Sequence, residues 1–157
     1  MKILGVIVLL FSGVGLAVRL SRDEDRALRQ ARALLEFLSF VNDAVENYAL
    51  PASQILLSCD PEIIFAMGYR EGAGMPTSFE ELALGCDFCD AETSSVLSEF
   101  AGDFGNGYRA QQVAKNGHFI DKAKRRLEKL ERRVPGRKKM ILSVVLCITL
   151  IVIILLL

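Results

Sequence analysis

Apolar residues run almost unbroken near the two ends of this chain and recur at helical spacing between them. Residues 3 to 18, ILGVIVLLFSGVGLAV, make the first run, and residues 140 to 157, MILSVVLCITLIVIILLL, make the second. Fourteen of the eighteen residues in the second run are Leu, Ile or Val, and none is charged. As a helix rising about 1.5 Å per residue, such a run covers roughly 27 Å, close to the roughly 30 Å hydrocarbon core of a bilayer. Each centrally placed Leu, Ile, Val or Phe favours insertion by about 0.3–0.6 kcal/mol, so this run is expected to span a membrane. The first run is slightly short, but the flanking Lys2 and Arg19 can snorkel to the interface. Within it Gly13 and Ala17 stand four apart, the small-xxx-small spacing that lets membrane helices approach closely.

Between the runs the pattern predicts helices and little that resembles a strand. SRDE places Ser21 three residues ahead of Glu24, a capping box that predicts a helix start. Leu28, Ala31, Leu35, Leu38 and Val45 then follow a three-four alternation, widened by Leu34, Val41 and Tyr48. That helix is expected to stop near Tyr48, because Pro51 disfavours helical geometry at Leu50. Asp60 and Pro61 predict a short helix to about Met67, followed by a loop through GYREGAGMP. TSFE, Thr77 to Glu80, reads as a second capping box. Asp90 is positioned to cap a further helix carrying Val96, Leu97, Phe100 and Phe104, which ends at FGNG. The last helix is expected from about Tyr108 to Arg133, with Ile120, Ala123, Leu127, Leu130 and Val134 spaced to pack antiparallel on the Ser21 helix. VPGRKK is expected to break it before the terminal run. The predicted fold class is therefore all-α: a compact helical bundle over 19–139 between an N-terminal transmembrane segment, 1–18, and a C-terminal one, 140–157.

Charge changes this picture by giving it an orientation. The 19 basic and 19 acidic side chains cancel, and all of them fall between Lys2 and Lys139. Arg19, Arg22, Arg26 and Arg29 follow the first run, and Arg132, Arg133, Arg137, Lys138 and Lys139 precede the second. Clustered Lys and Arg beside membrane segments favour the cytoplasmic side, so the middle domain is expected in the cytosol with both termini outside. A cleaved secretory signal is the rival reading of the first run, and it would export the domain together with its basic cluster. Charge is also polarised along the domain. From Asp60 to Asp103 there are ten acids and one base, and from Phe104 to Lys139 twelve bases and three acids. This imbalance is met either within the molecule and by anionic lipid, or by complementary docking faces for other proteins, which act on association rate and register. Arg125, Arg126 and Lys129 are the candidate partner-docking residues.

Candidate chemistry is sparse. CDFC, Cys86 to Cys89, is spelled like a redox or metal motif, since a thiol pair at that spacing can exchange disulfides or supply half of a zinc site. No strand precedes it, Asp87 and Asp90 oppose a thiolate, and the remaining ligand candidates are Cys59 and the lone His118. Cys147 reads as an apolar filler in the terminal run. No phosphate-binding loop, HExxH or GxSxG pattern occurs. No catalytic, cofactor-binding or metal residues are expected, and neither nucleic acid nor a small-molecule substrate is expected as a partner. A membrane-tethered thiol/disulfide or zinc-binding protein using Cys86 and Cys89 is the alternative.

Taken in order, these parts resemble the stage III sporulation protein AB family over essentially the whole chain. ENYALPASQIL is similar to that family's extended Leu-Pro entry into a second helix. FGNGYRAQQ is similar to a family stretch with Gly and then Gln seven residues on, here Gly105 and Gln112. Gly107 and Tyr108 depart from the polar Ser-Asp type cap that the family pattern has before the last helix. Family members resemble the cytosolic domains of inner-membrane platform proteins of type II secretion and type IV pilus systems. The resemblance implies a non-enzymatic platform in the mother-cell membrane surrounding the forespore. Its implied partners are other membrane proteins of the sporulation channel complex, membrane lipid, and a cytosolic secretion-type ATPase of the same operon.

Overall fold

In a computed structural model, the backbone is described for residues 2–48, 50–70 and 74–156, and side chains for these positions except 2–11, 14, 153, 155 and 156. Six helices follow one another: α1 (Lys2–Tyr48), α2 (Ala52–Ser58), α3 (Pro61–Ala66), α4 (Phe79–Gly85), α5 (Ala91–Asp103) and α6 (Arg109–Leu156). The all-α expectation holds, and the only strand-like pairing among the described residues is an isolated antiparallel bridge between Tyr69 and Cys86. Residues form two compact units, 27–130, and 1–26 with 131–157.

The two long helices correct two predicted boundaries. Ser21 and Glu24 lie inside the 47-residue α1, so the capping box predicted there does not form. No Gly or Pro falls between Leu16 and Tyr48, and without a breaker the capping residues simply continue the helix. VPGRKK does not end the last helix either, because Pro135 sits within the 48-residue α6. A helix-interior proline removes one hydrogen bond and costs about 3 kcal/mol. Around it, Val134 is buried, Arg137 pairs with Glu24 at 2.6 Å and Lys138 with Asp25 at 2.6 Å. These anchors bracket the proline and offset part of its cost.

The unit made of 1–26 and 131–157 is an antiparallel helix pair. Its ion pairs join residues 24 and 25 to 137 and 138, and further along Gly13 abuts Thr149. A Cβ on Gly13 would lie 2.7 Å from Thr149 Oγ1, so only glycine permits this approach. Ala17, four residues on, is buried. The small-residue pair therefore serves a contact within the chain. Among the described residues no helix is long and apolar enough to cross a membrane. The expected spans, 1–18 and 140–157, fall partly on positions outside the described residues.

The unit of 27–130 holds the main core. Phe79, the first residue of α4, is its aromatic hub, with ring centroids 5.9 Å from Phe37 of α1, 5.3 Å from Phe100 and 4.5 Å from Phe104. Phe119 of α6 completes the cluster through Phe100 at 5.7 Å. Leu34, Leu38, Val41, Ile55, Leu56, Ile64, Leu82 and Leu97 fill the space around it. The buried face of α1 is turned slightly from the expected stripe. Ala27, Gln30, Phe37 and Ala44 are inside along with Ala31, Leu34, Leu38, Val41 and Val45, whereas Tyr48 is 74% exposed.

The short helices begin largely as their polar caps predict. Asp60 accepts from Glu62 N at 2.9 Å, and Asp90 accepts from Thr93 N at 2.8 Å. The TSFE box is shifted by one residue. Ser78, not Thr77, is the cap and accepts from Glu81 N at 3.1 Å, while Glu81 accepts from Thr77 N at 2.7 Å. The Thr77 amide and the Thr77 hydroxyl, which donates at 2.8 Å, hold the Glu81 carboxyl below its ordinary range. At the start of α6, where no Ser or Asp is available, glutamines substitute. Gln111 Oε1 accepts from Tyr108 N at 3.4 Å, and Gln112 Oε1 accepts from Gly105 N at 3.0 Å.

A buried amide fastens the loops of this unit. Gln30, 1% exposed, donates from Nε2 to the carbonyls of Met67 at 3.1 Å and Asp87 at 2.7 Å. Its Oε1 accepts from Cys89 N at 2.9 Å. Gly68, at φ 99, lies against the same amide. A Cβ there would stand 2.5 Å from Gln30 Nε2 and 2.8 Å from the Asp87 carbonyl, so the position demands glycine for both conformation and space. Replacing Gln30 by Met, which fills similar volume without polar atoms, should destabilise this unit by about 2–4 kcal/mol by leaving buried backbone groups unpaired. Hydrogen exchange on the full chain should show faster exchange at the Cys89 amide in Gln30→Met. Unchanged exchange there would remove the amide from its structural role.

Candidate functional site

The predicted docking residues gather on α6 opposite α5. Glu92, Ser95 and Val96 of α5 and Lys122, Arg125, Arg126 and Lys129 of α6 line an open cleft of about 300 Å³. Helical spacing explains the grouping. Residues 122, 125, 126 and 129 recur three and four apart and share one side of α6, while Ala123, Leu127 and Leu130 turn into the core.

The three candidates do not share one environment, and Arg126 is the correction. Its side chain is only 11% exposed and pairs with Glu92 at 2.6 Å and with Asp90 through two nitrogens. Asp90 is the N-cap of α5 and also accepts from the Thr93 hydroxyl at 2.6 Å. Arg126 is therefore a clamp that ties α6 to the start of α5, and it is not available to a partner. Arg125 and Lys129 are exposed and make no ion pair among the described residues. Lys122, which also lines the cleft, pairs with Glu99 at 2.6 Å. The cleft thus offers two uncommitted cations beside an internally neutralised floor.

Burial of Asp90 would by itself raise its carboxyl, but the opposing hydrogen bonds from Arg126 and Thr93 prevail and hold it below the ordinary carboxylate range. The Asp90 hydrogen bond in turn raises Arg126 further, against the opposing effect of its burial.

The CDFC motif is structural in this arrangement. Cys86 ends α4 and bridges to Tyr69, Asp87 N donates to Gly68 O at 3.0 Å, and Cys89 N is the group that Gln30 holds. None of Cys59, Cys86, Cys89 and Cys147 forms a disulfide. Burial pushes the Cys86 thiol up to about 12. Burial, with the nearby Asp60 and Glu36 carboxylates, pushes Cys59 up to about 11. Both shifts run opposite to what a nucleophilic thiolate requires. No group of three or more His, Cys, Asp or Glu suited to a metal ion occurs among the described residues. His118 is exposed, with its ring 5.9 Å from that of Phe119.

The sequence pattern did not single out Gln30, Thr93 and Asn116, which are buried polar residues, as is Gln112, which it named beside Gly105. Gln112 donates to Asn116 at 2.9 Å, one turn apart on α6. Gln30 carried a readable signal, since it falls three after Ala27 and four before Leu34 on the buried face of α1.

Compared with known proteins, the chain matches no family model, no curated protein and no solved structure.

Because the folded Asp90 carboxyl lies below its unfolded value, the clamp contributes stability that is fully present above about pH 4 and is lost as pH falls through the folded value. Arg126→Gln should destabilise the 27–130 unit by about 1–3 kcal/mol, a figure discounted for partial solvent screening. Arg125→Gln should stay within about 0.5 kcal/mol of the parent. Denaturant titration of the full chain at neutral and acid pH separates them: the penalty for Arg126→Gln should shrink on the acid side. A penalty independent of pH would show that the pair does not act through the carboxylate charge.

Proposed function

We propose that this chain is a non-enzymatic membrane platform. It has a helical span near each end and a cytosolic helical domain that receives an acidic surface of a partner protein at Arg125 and Lys129. The membrane part is carried by one observation. Eight large apolar side chains between Met140 and Ile154 stand exposed, from 49% at Val144 to 70% at Ile154, on a helix with no charged residue after Lys139. Apolar surface left in water costs about 25 cal/mol per Å², and a bilayer removes that cost along the whole run. The basic residues that border both runs support a cytosolic domain.

The docking part is supported by Arg125 and Lys129, two cleft cations that make no ion pair among the described residues, beside Lys122 and Arg126, which are engaged. Such exposed charges set encounter rate and register more than affinity. The resemblance to the stage III sporulation protein AB family supplies the partners of this reading. They are a cytosolic secretion-type ATPase and the other membrane proteins of a channel complex, in the mother-cell membrane around the forespore. The thiol/disulfide alternative is weakened by the raised Cys86 and Cys59 thiols.

Topology is tested by single-cysteine labelling in cells with a membrane-impermeant reagent, at Ser53 and at an added C-terminal residue, with the native cysteines replaced. Ser53 is exposed, so protection there together with labelling at the C-terminus is the expected outcome. A labelled position 53 would place the domain outside and remove a cytosolic partner. Charge reversal at Arg125 and Lys129 together should reduce co-purification of the ATPase by about tenfold without unfolding the domain. Undiminished co-purification would end the docking part while leaving the membrane part standing.

A further inference from the structure

A second groove, of about 310 Å³, opens at the other end of the 27–130 unit, between the last turns of α1 and the end of α2. Phe40, Asp43, Ala44, Tyr48, Leu50 and Ser58 line it. Its walls are mostly carbon, and Tyr48 stands 74% exposed beside it. A single exposed apolar side chain requires no explanation, but an unburied tyrosine over an apolar groove has the geometry of an interface anchor.

Charge identifies the occupant. Between Arg32 and Arg70 the chain has five acids, Glu36, Asp43, Glu46, Asp60 and Glu62, and no Lys or Arg. All five are exposed. Asp43 forms part of the groove wall. Glu36 and Asp60 are close enough to Cys59, the residue after Ser58, for their charges to act on its thiol. Glu36, Asp43 and Glu46 make no ion pair among the described residues. Arg109 brings one cation to this end of α1, where it donates to the Val45 carbonyl at 3.1 Å. The groove thus has an apolar floor and Asp43 in its wall, with Glu36 and Glu46 seven residues before and three after it on α1.

We infer that this groove docks a basic amphipathic helix of a partner protein, with apolar side chains at helical spacing entering beside Tyr48 and Lys or Arg side chains facing Asp43 and its acidic neighbours. A lipid surface fits poorly, since the rim repels anionic headgroups. A second copy of this chain also fits poorly, because its basic 122–133 stretch keeps Ala123, Leu127 and Leu130 in its own core. Helix-in-groove recognition requires both the apolar anchors and the matching charge.

The test uses the full chain in zwitterionic phosphatidylcholine nanodiscs and two labelled synthetic helices that share one leucine face. They differ only in carrying lysine or glutamate on its flanks. Fluorescence anisotropy should show the lysine helix binding about tenfold more tightly or better. Tyr48→Ser should weaken it by a similar factor, and Asp43→Lys should reverse the preference; both side chains are exposed, so neither change disturbs the core. Equal binding of the two helices, or affinity for the lysine helix untouched by both substitutions, would overturn the proposal. So would disulfide-linked dimers of Tyr48→Cys in a background lacking the native cysteines, which would assign the groove to a second copy.

Discussion

The carboxamide of Gln30 is the point from which the 27–130 unit is ordered. A long helix such as α1 offers its neighbours side chains only, so the loops packed against it need something polar to close on. Gln30 supplies two donors and an acceptor within one buried group, and they reach residues 67, 87 and 89. Fixing Asp87 and Cys89 sets the direction in which the chain enters Asp90. Asp90 then caps α5, and α5 with its cap receives Arg126 from α6. An amide on α1 and a guanidinium on α6 are in this way linked through four consecutive loop residues. The Gln30 bond to Met67 is buried and the other links are partly buried, and a buried bond left unmade costs more than a made one gains.

Part of the polarised charge is consumed by this same geometry. Lys115 pairs with Asp103, Lys122 with Glu99, and Arg126 with Asp90 and Glu92, so the basic helix and the acidic segment neutralise each other along the α5–α6 seam. Exposed pairs of this kind contribute little stability each, about 0–1 kcal/mol. Their effect is register: they fix which turn of α6 faces which turn of α5. Among the charged side chains outside these pairs, Arg125 and Lys129 line one groove and Asp43 lines the other.

Helix content was legible from caps and breakers wherever a short helix had to start and stop, as at Asp60, Pro61, Asp90 and FGNG. The reading failed where a signal was present but outweighed. Ser21 and Glu24 spell a capping box, yet nothing upstream breaks the helix, and Glu24 engages Arg137 instead. Pro135 spells a stop, yet the turns on either side of it are anchored. Arg126 resembled Arg125 in the sequence because adjacent basic residues look alike there. A difference of about 100° around a helix axis put one against a partly buried carboxylate and left the other in solvent. The role of CDFC was hidden for a related reason, because its work is done by backbone amides and carbonyls that residue identity does not display.

α1 and α6 run antiparallel in both units, but different chemistry joins them in each. Within 27–130 they meet through Ala31, Leu127 and Leu130 and through the larger aromatic core, the packing that water drives. Within the terminal unit the contacts among the described residues include Gly13 against Thr149, and its polar links include Glu24 with Arg137 and Asp25 with Lys138. In a hydrocarbon solvent apolar side chains gain nothing by leaving their surroundings, so association falls to close backbone approach. On the proposed membrane reading, the change from large aliphatic contacts to a glycine contact is what that change of solvent requires, and the two ion pairs stand where charged residues give way to apolar ones. Bulk added at Gly13 would then act on the helix pair alone, because the core of residues 27–130 draws none of its packing from that contact.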